Sequence, residues 1–250
     1  MKATVYSTEG KAIKQIELPS YFTVDLREDL IKRAVLSDES MDYQPKGNYK
    51  FAGLETSARY RGRKEDYGAT KNKGISHLPR EVLPNGQFGK AKRVPHSVKG
   101  RRAHPPKPEK KIIEKMNKKE YAKALESAIA ATGNRRTVCS RCNADVGPSI
   151  PLIIEDNFEK LNKTEQVAKV FTNLNLIKFV EKAKKNATKA PLIIVSQENA
   201  LNKAARNLSG VDVVTVKNLK VKHLAPGTHQ GRVTLFTEKS LKVLEEKLKR

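Results

Sequence analysis

The stretch LIIVSQENALNKAARNLSGVDVVTV, residues 192–216, sets two apolar runs, Leu192-Ile193-Ile194-Val195 and Val211 to Val216, around a polar segment. Within that segment Leu201, Ala204, Ala205 and Leu208 recur at helical spacing, and Ser209-Gly210 closes it. A short β-branched run, a helix and a second run form the smallest unit of a parallel sheet, because parallel neighbours need a crossover that returns the chain to the same end.

Outward from this unit the pattern repeats. Leu152 to Ile154 and Val233 to Phe236 are runs of the same kind, separated by helical stretches. Thr164 is placed to cap a helix through Val167 and Val170, and Thr237 to cap one through Leu241, Leu244 and Leu248. Near the N-terminus Ala3 to Tyr6 and Ala12 to Leu18 read as two short strands joined by a turn at Glu9-Gly10. A helix follows with an apolar stripe of Leu26, Leu30, Ile31, Ala34 and Val35, and Asp25 and Glu28 have capping-box spacing. Ile113, Met116, Ala124, Leu125 and Ala128 predict a further helix capped at Gly133. The expected fold class is α/β, a Rossmann-like, mostly parallel sheet with helices on both faces.

Between these parts lies a different composition. Residues 44–111 carry 18 Lys and Arg against 5 Asp and Glu, so more than half of the chain's formal charge of +23 falls there. The same residues hold 8 of the 14 Gly and 7 of the 12 Pro, with only seven Leu, Ile or Val, too few for a core. Loops beyond roughly 12–15 residues without structure are uncommon unless functional. The expected organisation is therefore a body of residues 1–43 and 108–250, with an extended basic arm, 44–107, inserted in it. At about 3.3 Å per residue such an excursion reaches at most roughly 100 Å and realistically about half that. The arm is expected to be disordered when free and to fold on RNA.

A charge of this size calls for a polyanionic partner. The longest apolar runs are too short to span or anchor in a membrane, so no membrane partner is expected. Met1 to Gly10 lacks the apolar region of a secretory signal, and the protein is expected in the cytoplasm. Cys139 and Cys142 are the only cysteines, and His77, His96, His104, His223 and His229 are scattered, so two reduced thiols are expected rather than a zinc site. No Gly-x-Gly-x-x-Gly follows a strand, and Gly86-Gln87-Phe88-Gly89-Lys90 lacks both the spacing of a phosphate loop and an expected preceding strand. The best catalytic candidate is Glu155-Asp156 at the end of a predicted strand. No histidine or nucleophile accompanies it, and Asp156 reads better as the cap of the turn holding Phe158 and Leu161. No catalytic residue, cofactor or metal is expected.

The residues expected to meet RNA all lie in the arm: Lys46, Lys50, Arg59, Tyr60, Arg61, Arg63, Lys64, Lys71, Lys73, Arg80, Lys90, Lys92, Arg93, Lys99, Arg101, Arg102, His104 and Lys107. Arg and Lys neutralise phosphates with release of counterions, glycine admits the backbone closely, and Tyr49, Tyr60, Tyr67 or Phe88 can stack on unpaired bases. Pro105, Pro106 and Pro108 stiffen the return.

The sequence also resembles a known family over nearly its whole length. Gly100-Arg101-Arg102-Ala103-His104-Pro105-Pro106-Lys107 with Glu109-Lys110 looks like the arm-to-helix signature of the universal large-subunit ribosomal protein four family, in its archaeal and eukaryotic form. Ser127 to Thr132 looks like the helix after it. Ala204-Ala205-Arg206-Asn207-Leu208-Ser209-Gly210-Val211, Asn218 to Val221 and Leu224 to Gly227 fit its C-terminal pattern, the first of these being long and specific. Cys139-Ser140-Arg141-Cys142 departs from it, standing where a Gly-His-like pair is expected. The resemblance implies a non-enzymatic role in the large ribosomal subunit. It implies large-subunit rRNA and neighbouring ribosomal proteins as partners, among them a second tunnel-lining protein, with the arm running to the wall of the exit tunnel. The arm tip, Arg59 through Lys73, would then approach the nascent polypeptide.

Two other readings make different demands. A basic RNA-modifying enzyme of methyltransferase type needs a Gly-rich loop after its first parallel strand, but Ile154 is followed by Glu155-Asp156-Asn157-Phe158. A DNA-binding protein would cluster Arg at helical spacing, and the arm is too rich in Gly and Pro for that, so no DNA partner is expected.

Overall fold

The computed structural model describes residues 2–143, 146 and 149–248. The chain divides into two units, residues 1–42 with 113–250, and residues 43–112.

The first unit is built on a six-stranded sheet. Strands β1 (Lys2–Tyr6) and β2 (Ala12–Glu17) pair antiparallel around a turn where Gly10 takes φ 81°. Four parallel pairings then join β1 to β5 (Leu152–Ile154), β5 to β8 (Thr234–Thr237), β8 to β6 (Leu192–Val195) and β6 to β7 (Asp212–Thr215), giving the order β2-β1-β5-β8-β6-β7. The apolar runs are continuous because both faces are covered. Ile153, Leu192, Ile194 and Phe236 point to one face and pack with Ile31, Ala128, Ile129, Leu224 and Leu244. Leu152, Ile154, Ile193, Val195 and Leu235 point to the other and meet Val167, Phe171, Leu201 and Ala205. Helices α1 (Glu28–Ser40), α2 (Lys118–Gly133), α7 (Val221–Leu224) and α8 (Glu238–Leu248) supply the first layer. The second comes from α3 (Arg135–Cys142), α4 (Thr164–Asn173), α5 (Ile177–Asn186) and α6 (Leu201–Ala205). The sheet is the mostly parallel, doubly covered one that the sequence predicts. No described helix is long and apolar enough to cross a membrane.

Helix ends differ from expectation, for physical reasons. Asp25 does not cap α1, which begins at Glu28 with Arg27 in the cap position. Ser127 on α2 takes over, its Oγ accepting from Arg27 N at 2.7 Å and donating to Asp25 O at 3.2 Å. Ile113 and Met116 precede α2 rather than joining it. Ser37 Oγ donates to Glu114 O at 2.6 Å and Glu114 N donates to Ser40 Oγ at 3.0 Å, which holds that segment extended along the end of α1. Gly133 is the last residue of α2 and serves close packing, since a Cβ there would lie 2.9 Å from the Phe22 ring. Thr164 is the first residue of α4, after Lys163 at the cap, and forms no side-chain cap. Thr237 does cap α8, accepting from Ser240 N at 3.3 Å.

The second unit contains a small hairpin, β3 (Arg80–Val82) and β4 (Phe88–Ala91), where no regular structure was expected. Its turn, Pro84–Gly86, places Asn85 and Gly86 at φ 62° and 71°. A strand therefore does precede Gly86 to Lys90, but the segment folds back as β4 and no helix follows it to make a phosphate site. Arg59 and Arg80 exchange backbone bonds of 3.1 and 3.3 Å, adding a third stretch beside the hairpin. The buried apolar side chains of this unit are only Ala58 and Ala69.

Candidate nucleic-acid interface

The arm displays its cations. Lys46, Lys50, Arg59, Tyr60, Arg63, Lys64, Lys71, Lys73, Lys90, Arg93, Lys99, Arg101, Arg102, His104 and Lys107 are exposed, while Arg61, Arg80 and Lys92 are half-buried. Those three, with Arg93, also make contacts within the arm itself. Arg61 Nη1 donates to Tyr67 O at 2.7 Å, and Arg80 Nη2 donates to Ser76 Oγ at 2.6 Å. Arg93 Nη1 donates to Ala58 O at 3.2 Å, and Lys92 stands 3.9 Å from Glu81. Glycine supplies the close approach required where two passes of chain meet. A Cβ on Gly53 would lie 2.5 Å from Gly100 O, and Gly53 takes φ 78°.

Among the aromatic residues, Tyr67 is 74% exposed, Tyr49 59% and Tyr60 50%, with Tyr49 meeting Phe51 edge-on at 5.9 Å and Tyr60 tilted 6.5 Å from His77. Phe88 is half-buried, with Lys73 Nζ 5.0 Å from its ring centre, and offers less of its face.

Open α/β sheets bind ligands at the carboxyl ends of their parallel strands. At those ends of the body's sheet a 580 Å³ cavity opens beside Asp156, Glu159, Ser196 and Asn199. Its centre is taken by the protein itself. The buried Glu159 carboxylate accepts from Ser196 N (3.0 Å), Ser196 Oγ (2.9 Å), Asn199 Nδ2 (2.9 Å) and Thr237 Oγ1 (2.6 Å). The donors that a bound anion would use at these strand ends are thus satisfied internally. Glu155 accepts from Thr8 N at 3.0 Å. Asp156 accepts from Lys239 N at 3.0 Å, so it caps α8 and not, as expected, its own turn. The pair is structural.

Cys139 and Cys142 lie on α3 and form no disulfide, and burial pushes the Cys142 thiol up. No group of three or more metal-ligating side chains occurs among the described residues. A second basic concavity, away from those strand ends, was not foreseen from the sequence: an 870 Å³ cleft lined by Lys32, Arg136, Arg141, Lys182 and Lys189.

Comparison with known proteins accounts for both units at once. Residues 16–247 match the sequence profile described as the Ribosomal protein L4/L1 family. The large ribosomal subunit protein uL4 of Methanocaldococcus jannaschii is 42% identical, over 99% of this chain and 99% of that protein. Its counterpart in Archaeoglobus fulgidus is 39% identical over 98% and 99%, and that of Methanopyrus kandleri 38% over 99% of each.

Proposed function

The chain belongs to the ribosomal protein L4/L1 family, and from that premise we infer how its two units work within the large ribosomal subunit. It is a structural protein of that subunit, not an enzyme, and resides with the ribosome in the cytoplasm. It binds large-subunit rRNA and neighbours other ribosomal proteins. The finer assignment concerns the arm. Residues 44–107 carry the RNA contacts, and their far portion, Arg59 through Lys73, lines the exit tunnel beside a second tunnel protein, close to the nascent polypeptide. The observation that carries this reading is the exposure of fifteen of the eighteen proposed contact residues on a unit with almost no apolar interior. Such a surface is stable only against a polyanion.

Sedimentation of a cytoplasmic extract through sucrose gradients at moderate and high salt tests the assignment. The intact chain should remain stoichiometric with the large subunit at high salt. A chain that strips off and runs as a small free protein would restore the methyltransferase-like alternative.

A further inference from the structure

We propose that Cys139 and Cys142, at the end of α3, form a binding site for a soft monovalent metal ion of the Cu(I) class, held between their two sulfurs. The segment Cys139-Ser140-Arg141-Cys142 is where the chain departs from its family pattern, and the ribosomal role stated above makes no use of it.

The helix brings the two thiols together. Residues three apart on a helix are neighbours on one face, with Cβ atoms about 5–6 Å apart. Both cysteines are half-buried. Cys142 packs against the apolar layer that holds Val138 and Val167, and it also lines the 870 Å³ cleft, through which an ion can reach the pair. Closing a disulfide requires Cβ atoms about 3.5–4.5 Å apart, nearer than a regular helical turn sets them. An ion between the two sulfurs spans the wider separation without drawing the backbone in.

The class of ion follows from the donors and from the charge around them. A structural zinc ion takes four ligands, and no group of three or more ligating side chains occurs among the described residues. Thiolates select soft ions, and Cu(I), with its filled d shell, is satisfied by two sulfurs in line. A monovalent ion on two thiolates leaves one negative charge, whereas a divalent ion leaves none. The surroundings favour the anionic complex. Arg141 lies within the same turn, and Lys182 Nζ stands 2.9 Å from Cys142 O. Burial pushes the Cys142 thiol up, Arg141 and Lys182 favour its thiolate, Cys139 disfavours it and Lys178 favours it, in keeping with two sulfurs on one face under a positive surface. The arriving ion displaces both thiol protons, which leave to solvent, and no electron is transferred.

The test uses the reduced full chain without oxygen and Cu(I) supplied as its bicinchoninate complex. Loss of the chelator's colour should show one ion taken up per chain, with an ultraviolet sulfur-to-copper band, and the loaded chain should resist alkylation by iodoacetamide at both cysteines. Zn(II) in equal amount should not displace the copper. The double variant C139S/C142S should lose uptake and the band while keeping the parent's thermal midpoint. C139S alone leaves the packed Cys142 in place and should lose both as well, so a failure of the double variant to fold does not decide the outcome. Uptake that persists in C139S, a ratio of one ion to two chains, or displacement by Zn(II) would each overturn the proposal, as would a parent chain that leaves the chelator's colour unchanged.

Discussion

Arg232 is the largest fully buried side chain among the described residues, and it shows how single residues set the body's geometry. Its guanidinium pairs with Asp212 at 2.8 Å and donates to Ala190 O (2.8 Å), His223 O (3.0 Å) and Gly210 O (3.1 Å), tying two loops to α7. Burial lowers the pKa of Arg232 and Asp212 opposes this. Burial alone would raise the Asp212 carboxyl, but Arg232 and Lys189 outweigh it and hold it below the ordinary value. Arg232→Ala takes the donors from these three carbonyls and leaves a cavity in their place, so it should lower unfolding stability by about 3–5 kcal/mol, read from urea denaturation. Nearby, His223 Nδ1 accepts from Lys220 N at 3.2 Å at the start of α7, which requires the neutral ring. Burial pushes its pKa below the ordinary value, Lys222 and Arg232 add to this, and Asp212 and Asp38 oppose it. With the folded pKa depressed, the unfolded state binds more protons between the two values. The stabilisation is therefore complete above about pH 6.5 and is lost as pH falls through the lower folded value. Gln at this position can keep the cap without titrating. The stability difference between the parent and His223→Gln should be constant above about pH 6.5 and shift against the parent below it; a difference independent of pH would refute this account.

At the scale of elements, the strands were legible in the sequence and several helix ends were not. Leu152 to Ile154 and Leu192 to Val195 announce themselves because a strand buried on both faces must be apolar throughout. Caps failed wherever the bonding group comes from far along the chain, as Ser127 does for Arg27 and Asp156 for Lys239. The basic residues divide in the same way. The arm's cations are contiguous in sequence, whereas the cleft assembles Lys32, Arg136 and Lys182 from three helices, and no local pattern connects them. The β3–β4 hairpin was hidden because its strands are only three and four residues long and the unit around them buries little beyond Ala58 and Ala69. Ordering each residue costs about 1–2 kcal/mol of backbone entropy, which so few apolar contacts do not offset. In the isolated protein, limited proteolysis should therefore cut within residues 46–107 while the body survives, and added rRNA should protect the arm. Protection without RNA would refute the idea that the arm folds on binding.

For the whole molecule, the division into a body and an arm separates stability from binding. The two ends of the arm lie together, since a Cβ on Gly47 would stand 2.7 Å from Pro108 Cγ, so a linker of a few Gly and Ser residues can replace residues 48–107 without stretching the chain. The sheet and both apolar layers lie entirely in residues outside that segment. The shortened chain should accordingly unfold cooperatively with a thermal midpoint near that of the parent. What it loses is charge, because residues 48–107 carry 15 Lys and Arg against 4 Asp and Glu, a net of +11 out of +23. Each phosphate contact adds about one to the steepness of the salt dependence, so removing the arm should flatten the dependence of rRNA affinity on salt by many contacts at once. The flattened dependence should not reach zero, because the rest of the chain keeps the remainder of the positive charge. In gradients at high salt the shortened chain should leave the large subunit while the parent stays with it. If it remained bound as firmly as the parent, the body and not the arm would dominate attachment, and the arm's cations would serve the path of the tunnel wall rather than the strength of the grip.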